Sequence, residues 1–158
     1  MKIQKILVLI LVLIAITAQA GDEDKRQVIT ITELQREHVL EEMRALLSGI
    51  QKILTSLASE DMAAVAQHAR SLGMHMTHKA EDHLKGALPK EFMQLGMSVH
   101  RDFDQIAMDA ASLKDSKHTL QQLSDSMKKC VACHASYQIR SAQQTSQSNQ
   151  NSHLHEHQ

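Results

Sequence analysis

Apolar residues between positions 40 and 57 recur as Leu40, Met43, Leu47, Ile50, Leu54 and Leu57, at intervals of 3, 4, 3, 4 and 3. This rhythm returns a side chain to the same helix face on each turn, whereas a strand would need strict alternation. A seam of that length needs an apolar partner helix, which commits the chain to helix-on-helix packing.

Three further segments repeat the pattern. Helix one is predicted over about 32–58, capped by Thr30 or Thr32 with Glu33 or Gln35 as the capping-box partner. Helix two starts at Ser59 or Asp61 and runs to about Leu72, burying Met62, Val65, Ala69 and Leu72, with Gly73 as its stop. Residues 74–88 form a polar, histidine-bearing connection. Helix three opens at Pro89, a residue suited to a first turn, and carries Phe92, Leu95, Val99, Phe103, Ile106 and Ala110. Helix four spans about 116–142, with a stripe of Leu120, Leu123, Met127, Cys130, His134 and Tyr137 that turns His134 toward the core. The predicted fold is all-α, an antiparallel up-down-up-down four-helix bundle.

Helix four contains Cys130-Val131-Ala132-Cys133-His134, a C-x-x-C-H sequence. On a helix the two thiols and the imidazole fall at i, i+3 and i+4 and share a face. That spacing suits one flat cofactor: two thioethers to a porphyrin's vinyl groups and an axial nitrogen to its iron, as in c-type haem. A thioredoxin-like pair would want a βαβ context, and no convincing strand pattern lies nearby. A zinc site would have to recruit tail histidines such as His153 and His157, with nineteen residues between Cys133 and His153. A plain disulfide would close a tight ring.

The first twenty residues read as an export signal. Lys2 and Lys5 precede an apolar run, Ile6 to Ile16, too short to span a membrane, and Ala18-Gln19-Ala20 is a cleavage site that would leave Gly21 first. An uncleaved anchor is the alternative. Loss of the signal lowers Lys plus Arg from 17 to 15 against 18 Asp plus Glu, a net charge of −3. Neither nucleic acid nor an anionic membrane is a partner that this charge suggests. The expected organisation is a signal peptide at 1–20, a lead-in at 21–31, one helical domain at 32–141 and a disordered Gln/Ser/His-rich tail at 142–158.

With these features the chain resembles the cytochrome c′ family over roughly residues 32–141. The most specific match is Cys130-Val131-Ala132-Cys133-His134-Ala135-Ser136-Tyr137, similar to the family's C-x-x-C-H-x-x-aromatic ending. The resemblance implies a periplasmic protein with one covalent haem c, attached through Cys130 and Cys133 and ligated by His134 in a C-terminal haem-attachment helix. The family places a basic residue directly after the aromatic. Here Gln138 stands there, and Arg140 is the nearest basic side chain for a haem propionate.

The residue on the far side of the iron decides the function. A methionine there favours a six-coordinate electron carrier; an open or apolar side favours binding of nitric oxide or carbon monoxide. Antiparallel packing brings residues 36–44 of helix one beside the motif. Met43, on the seam, is the expected distal ligand. Leu40 would leave the iron open, and Arg36, four residues before it, fits the family's open-site pattern. His38 lies roughly 140° around the helix from Met43, away from the seam.

The chain has eleven histidines. The Met74-His75-Met76-Thr77-His78 stretch with His83, and His153, His155 and His157, raise copper or zinc capture as a further possibility beside solvated loops and tail. His100 reads as a boundary residue beside Val99, and Glu41-Glu42 as a solvated helix face. No nucleophile–base set, phosphate loop or carboxylate pair suggests an enzyme. The expected function is one-electron transfer with periplasmic redox proteins. Gas binding by the same fold, and haem-free metal handling, are the alternatives. A homodimer is compatible with the resemblance.

Overall fold

The structure is a computed structural model that describes residues 24–79, 84 and 86–143. The export segment, His83 and the histidines of the tail lie outside these residues.

Strand β1 (Gln27–Ile31) precedes helix α1 (Glu33–Ala58). Of the caps that the sequence offers, Thr32 with Gln35 is the one formed. Thr32 Oγ1 accepts the Gln35 N–H at 3.2 Å and Gln35 Oε1 accepts the Thr32 N–H at 3.0 Å, satisfying two donors that a helix start would orphan. The helix closes with crossed bonds from the Asp61 N–H to the Ser56 carbonyl and from the Glu60 N–H to the Leu57 carbonyl. This is a Schellman ending with Glu60 at φ 56° in the left-handed region. Asp61 then caps helix α2 (Met62–Ser71), accepting the Ala64 N–H at 2.9 Å. A 3₁₀ turn (Met74–Lys79) leads on to helix α3 (Lys90–Ser112), with Pro89 at its N-cap. Lys114, at φ 54°, makes the turn to helix α4 (Ser116–Ser136), which Asp115 caps through the His118 N–H at 3.0 Å.

The described chain is thus mostly helical, with four helices, compatible with an all-α bundle. One addition departs from the sequence expectation. The last helix ends at Ser136 rather than near residue 142, and Tyr137–Ser141 forms strand β2, parallel to β1 with Gln27 opposite Tyr137 and Ile31 opposite Ser141. The lead-in is therefore in part a strand. Its β-branched Val28-Ile29-Thr30-Ile31 run is suited to a pleated surface, but its partner lies over a hundred residues away and no local pattern reveals it.

The main core is built on α2 and α3. Val65, Ala66, Ala69 and Leu72 meet Val99, Phe103, Ile106, Ala107 and Ala110, with Ile53 from α1 and Leu123 from α4. A second apolar cluster surrounds the ribbon: Ile29, Ile31, Val39 and Leu84 are buried, with Met43, Phe92, Tyr137 and Ile139 packed on them.

The heptad seam of α1 is rotated in part from its predicted face: Met43, Ile50 and Leu57 pack on the apolar clusters, but two of its leucines do not. Leu47 is 70% exposed and Leu54 43%, while Val39, Gly49, Ile53 and Ser56 are buried. The cause is close approach at Gly49, where an added Cβ would lie 2.5 Å from a methyl carbon of Leu72. Small residues draw α1 onto α2 and turn the large leucines outward. Helix α4 is turned likewise: Leu120 is 51% and Met127 44% exposed, while Thr119, Leu123 and Ser126 are buried. Polar ties to α3 fix that orientation. Gln122 donates to Asp109 at 2.6 Å, and Lys129 pairs with Asp102 at 2.6 Å.

Candidate functional site

The final turns of α4 carry the motif. Cys130 and Cys133 are half-buried free thiols. The Cys130 thiol donates to the Ser126 carbonyl at 3.8 Å. Burial pushes both thiols above the ordinary range, with the Asp102 carboxylate adding to the rise at Cys130 and Cys130 itself adding to that at Cys133. Both sulfurs therefore remain protonated at neutral pH, unlike the low-pKa thiolates of redox-active cysteine pairs.

His134 corrects an expectation. It is exposed rather than core-facing: it lies within about 20° of the buried Leu123 around the helix, but close to the helix end, two residues before Ser136. Its backbone carbonyl is held by the Arg26 guanidinium, whose Nη1 donates to it at 3.3 Å.

Met43 is half-buried in the cluster around the ribbon, among residues that include Tyr137 and Phe92. The two rings meet edge to face, with centroids 5.4 Å apart. The chain thus gathers Met43 from α1 and the aromatic that follows the motif into one apolar cluster. Leu40 and His38 are half-buried. Arg36 bonds Glu33 through Nη1 at 3.3 Å, but its Nε is buried and has no partner among the described residues. A buried donor of this kind is costly unless something accepts from it. Arg140 lies on β2, half-buried, and donates to Gln138 Oε1 at 3.1 Å.

An apolar groove of about 390 Å³ runs between α1 and α4, lined by residues that include Leu54, Leu120, Met127 and Val131. Cys130, Cys133 and His134 do not line it: Cys133 sits roughly 160° around the helix from Val131.

Several contacts were not legible in the sequence. His100 is 3% exposed, not a boundary residue. Its Nδ1 meets the Leu72 carbonyl at 2.7 Å and its Nε2 meets Glu42 at 2.8 Å. Glu42 is accordingly an ion-pair partner rather than part of a solvated face. The carbonyl and the carboxylate both accept, an arrangement that favours the doubly protonated ring. Burial opposes that charge; the Glu42 carboxylate and the Leu72 carbonyl outweigh it and raise the pKa above 6.5. Arg26 was also missed, since no motif marks a contact 108 residues apart.

In the Met/His stretch, Met76 packs against the main core, and the Met74 N–H donates to Asp104 at 3.0 Å. Among the described residues, no group of three or more His, Cys, Asp or Glu side chains converges to hold a metal ion, and no helix is long and apolar enough to cross a membrane. At the end of α4 the two thiols stand one turn apart with the His134 imidazole next in sequence.

No family model matches the chain, and neither curated proteins nor solved structures give a match.

Proposed function

We propose that this chain is a periplasmic monohaem c-type cytochrome that carries one electron. In this reading it is an antiparallel up-down-up-down bundle whose last helix holds haem c. The observation that carries the proposal is Cys130-Val131-Ala132-Cys133-His134 on one continuous helix, with both thiols free.

Cys130 and Cys133 would each hold the haem through one thioether. His134, exposed at the end of α4, would supply a ring nitrogen to the iron. Met43 is the proposed distal ligand, supported by its place in the cluster that contains Tyr137. Bound there, the haem supplies a ferric–ferrous couple, and a thioether ligand favours the ferrous state. Phe92, Tyr137 and Ile139 would keep water from the site. Arg36 Nε and Arg140 are the donors that suit the propionate carboxylates. Exchange with other periplasmic redox proteins would supply and remove the electron.

The test is the absorption spectrum of protein exported into a haem-maturing periplasm, oxidised and then reduced, with carbon monoxide added last. A low-spin ferric spectrum with a methionine–iron band and little response to carbon monoxide supports the electron carrier. A high-spin spectrum that shifts at once puts Leu40 over an open iron and replaces electron transfer with gas binding. No haem absorption overturns both.

A further inference from the structure

At the N-terminal edge of the described chain, Asp24 and Arg26 form a close ion pair. Arg26 Nε lies 2.9 Å and Nη2 2.6 Å from the carboxylate, and the Asp24 carboxylate also accepts the Arg26 backbone N–H at 3.1 Å. The remaining nitrogen of the fork, Nη1, donates to the carbonyl of His134 at 3.3 Å. The contact is built rather than incidental. The parallel ribbon sets Gln27 opposite Tyr137, so Arg26 directly precedes a strand that pairs with the residues after the motif. The Gln138 side chain returns a bond to the Arg26 carbonyl at 3.4 Å. The carbonyl of His134 is one of those that a helix end leaves without a partner, and a cation there complements the negative end of the helix dipole.

We propose that Arg26, held by Asp24, sets the charge at the end of α4 behind His134. The inference rests on the cytochrome reading above. It predicts that the two members of the pair act with opposite sign. Asp24 neutralises Arg26, so its loss exposes a positive charge near the iron, which favours the ferrous state. Loss of Arg26 exposes a negative charge, which favours the ferric state. Loosening of the helix end alone would instead move both variants the same way, toward the lower potential of a wetter haem.

The experiment is redox titration of the full-length exported holoprotein and its Asp24→Asn, Arg26→Ala and Arg26→Lys variants, at low and high salt. Asp24→Asn should raise the midpoint potential and Arg26→Ala lower it, each by several-fold in the reduction equilibrium constant. Arg26→Lys, which keeps the charge, should restore most of the wild-type value. High salt should shrink both shifts, because the pair is exposed. Shifts of the same sign, or potentials unchanged in all variants, would overturn the inference while leaving the cytochrome reading intact. Wild-type protein without covalent haem would overturn that reading, and this inference with it.

Discussion

His100 sets the most explicit constraint at the scale of single residues. It joins three helical segments: its own α3, the end of α2 through Leu72, and α1 through Glu42. Its folded pKa is raised, so the folded state binds the proton more tightly than the unfolded chain. The stabilisation is therefore complete below the unfolded value and is lost as pH rises through the folded one. Thermal melts should show a midpoint that falls as pH rises above about 6.5, and His100→Gln should flatten that slope. An unchanged slope in the variant would remove the imidazolium from the account. Met43 carries the second residue-scale prediction. Its replacement by alanine should turn a low-spin iron high-spin and lower the midpoint potential, read from the spectrum and a redox titration. An unchanged spectrum would leave Met43 as packing alone. The helical spacing of Cys130, Cys133 and His134 was legible in the sequence because it is local, but the exposure of His134 was not. The partners of His100 and Arg26 were not, because each joins segments far apart in the chain.

At the scale of elements, the helices were legible in existence and nearly in extent, since their caps are local chemistry: Thr32 with Gln35, Asp61, and Asp115. Their rotation was not. A heptad count selects Leu47 and Leu54, yet Gly49 lets α1 settle against Leu72 and turns those leucines outward. The two faces can be told apart by truncation. Ile53→Ala, at a fully buried side chain, should cost about 2–5 kcal/mol in denaturant unfolding. Leu47→Ala should cost no more than about 0.5 kcal/mol, as exposed positions do. Equal costs would restore the predicted seam. The turns offer a gain instead. Lys114 sits at φ 54° where glycine is favoured, so Lys114→Gly should stabilise the protein by about 0.5–1 kcal/mol. A loss would mean that the side chain makes a contact worth more than the relief of its backbone. The ribbon was missed for a further reason. A five-residue strand whose partner lies at the other end of the chain has no hairpin signal, and the helical rhythm before Tyr137 extends across it.

At the scale of the whole molecule, two ends of the chain converge on one place. The strand that would follow export and the strand that follows the motif pair with each other, and the cluster beneath them holds Met43, Phe92 and Tyr137. The central claim is the covalent bond itself. The most direct measurement is the intact mass of the protein exported into a haem-maturing periplasm, under denaturing conditions that release anything held non-covalently. The account predicts the mass of the chain from Gly21 plus one haem. The polypeptide mass alone would contradict it.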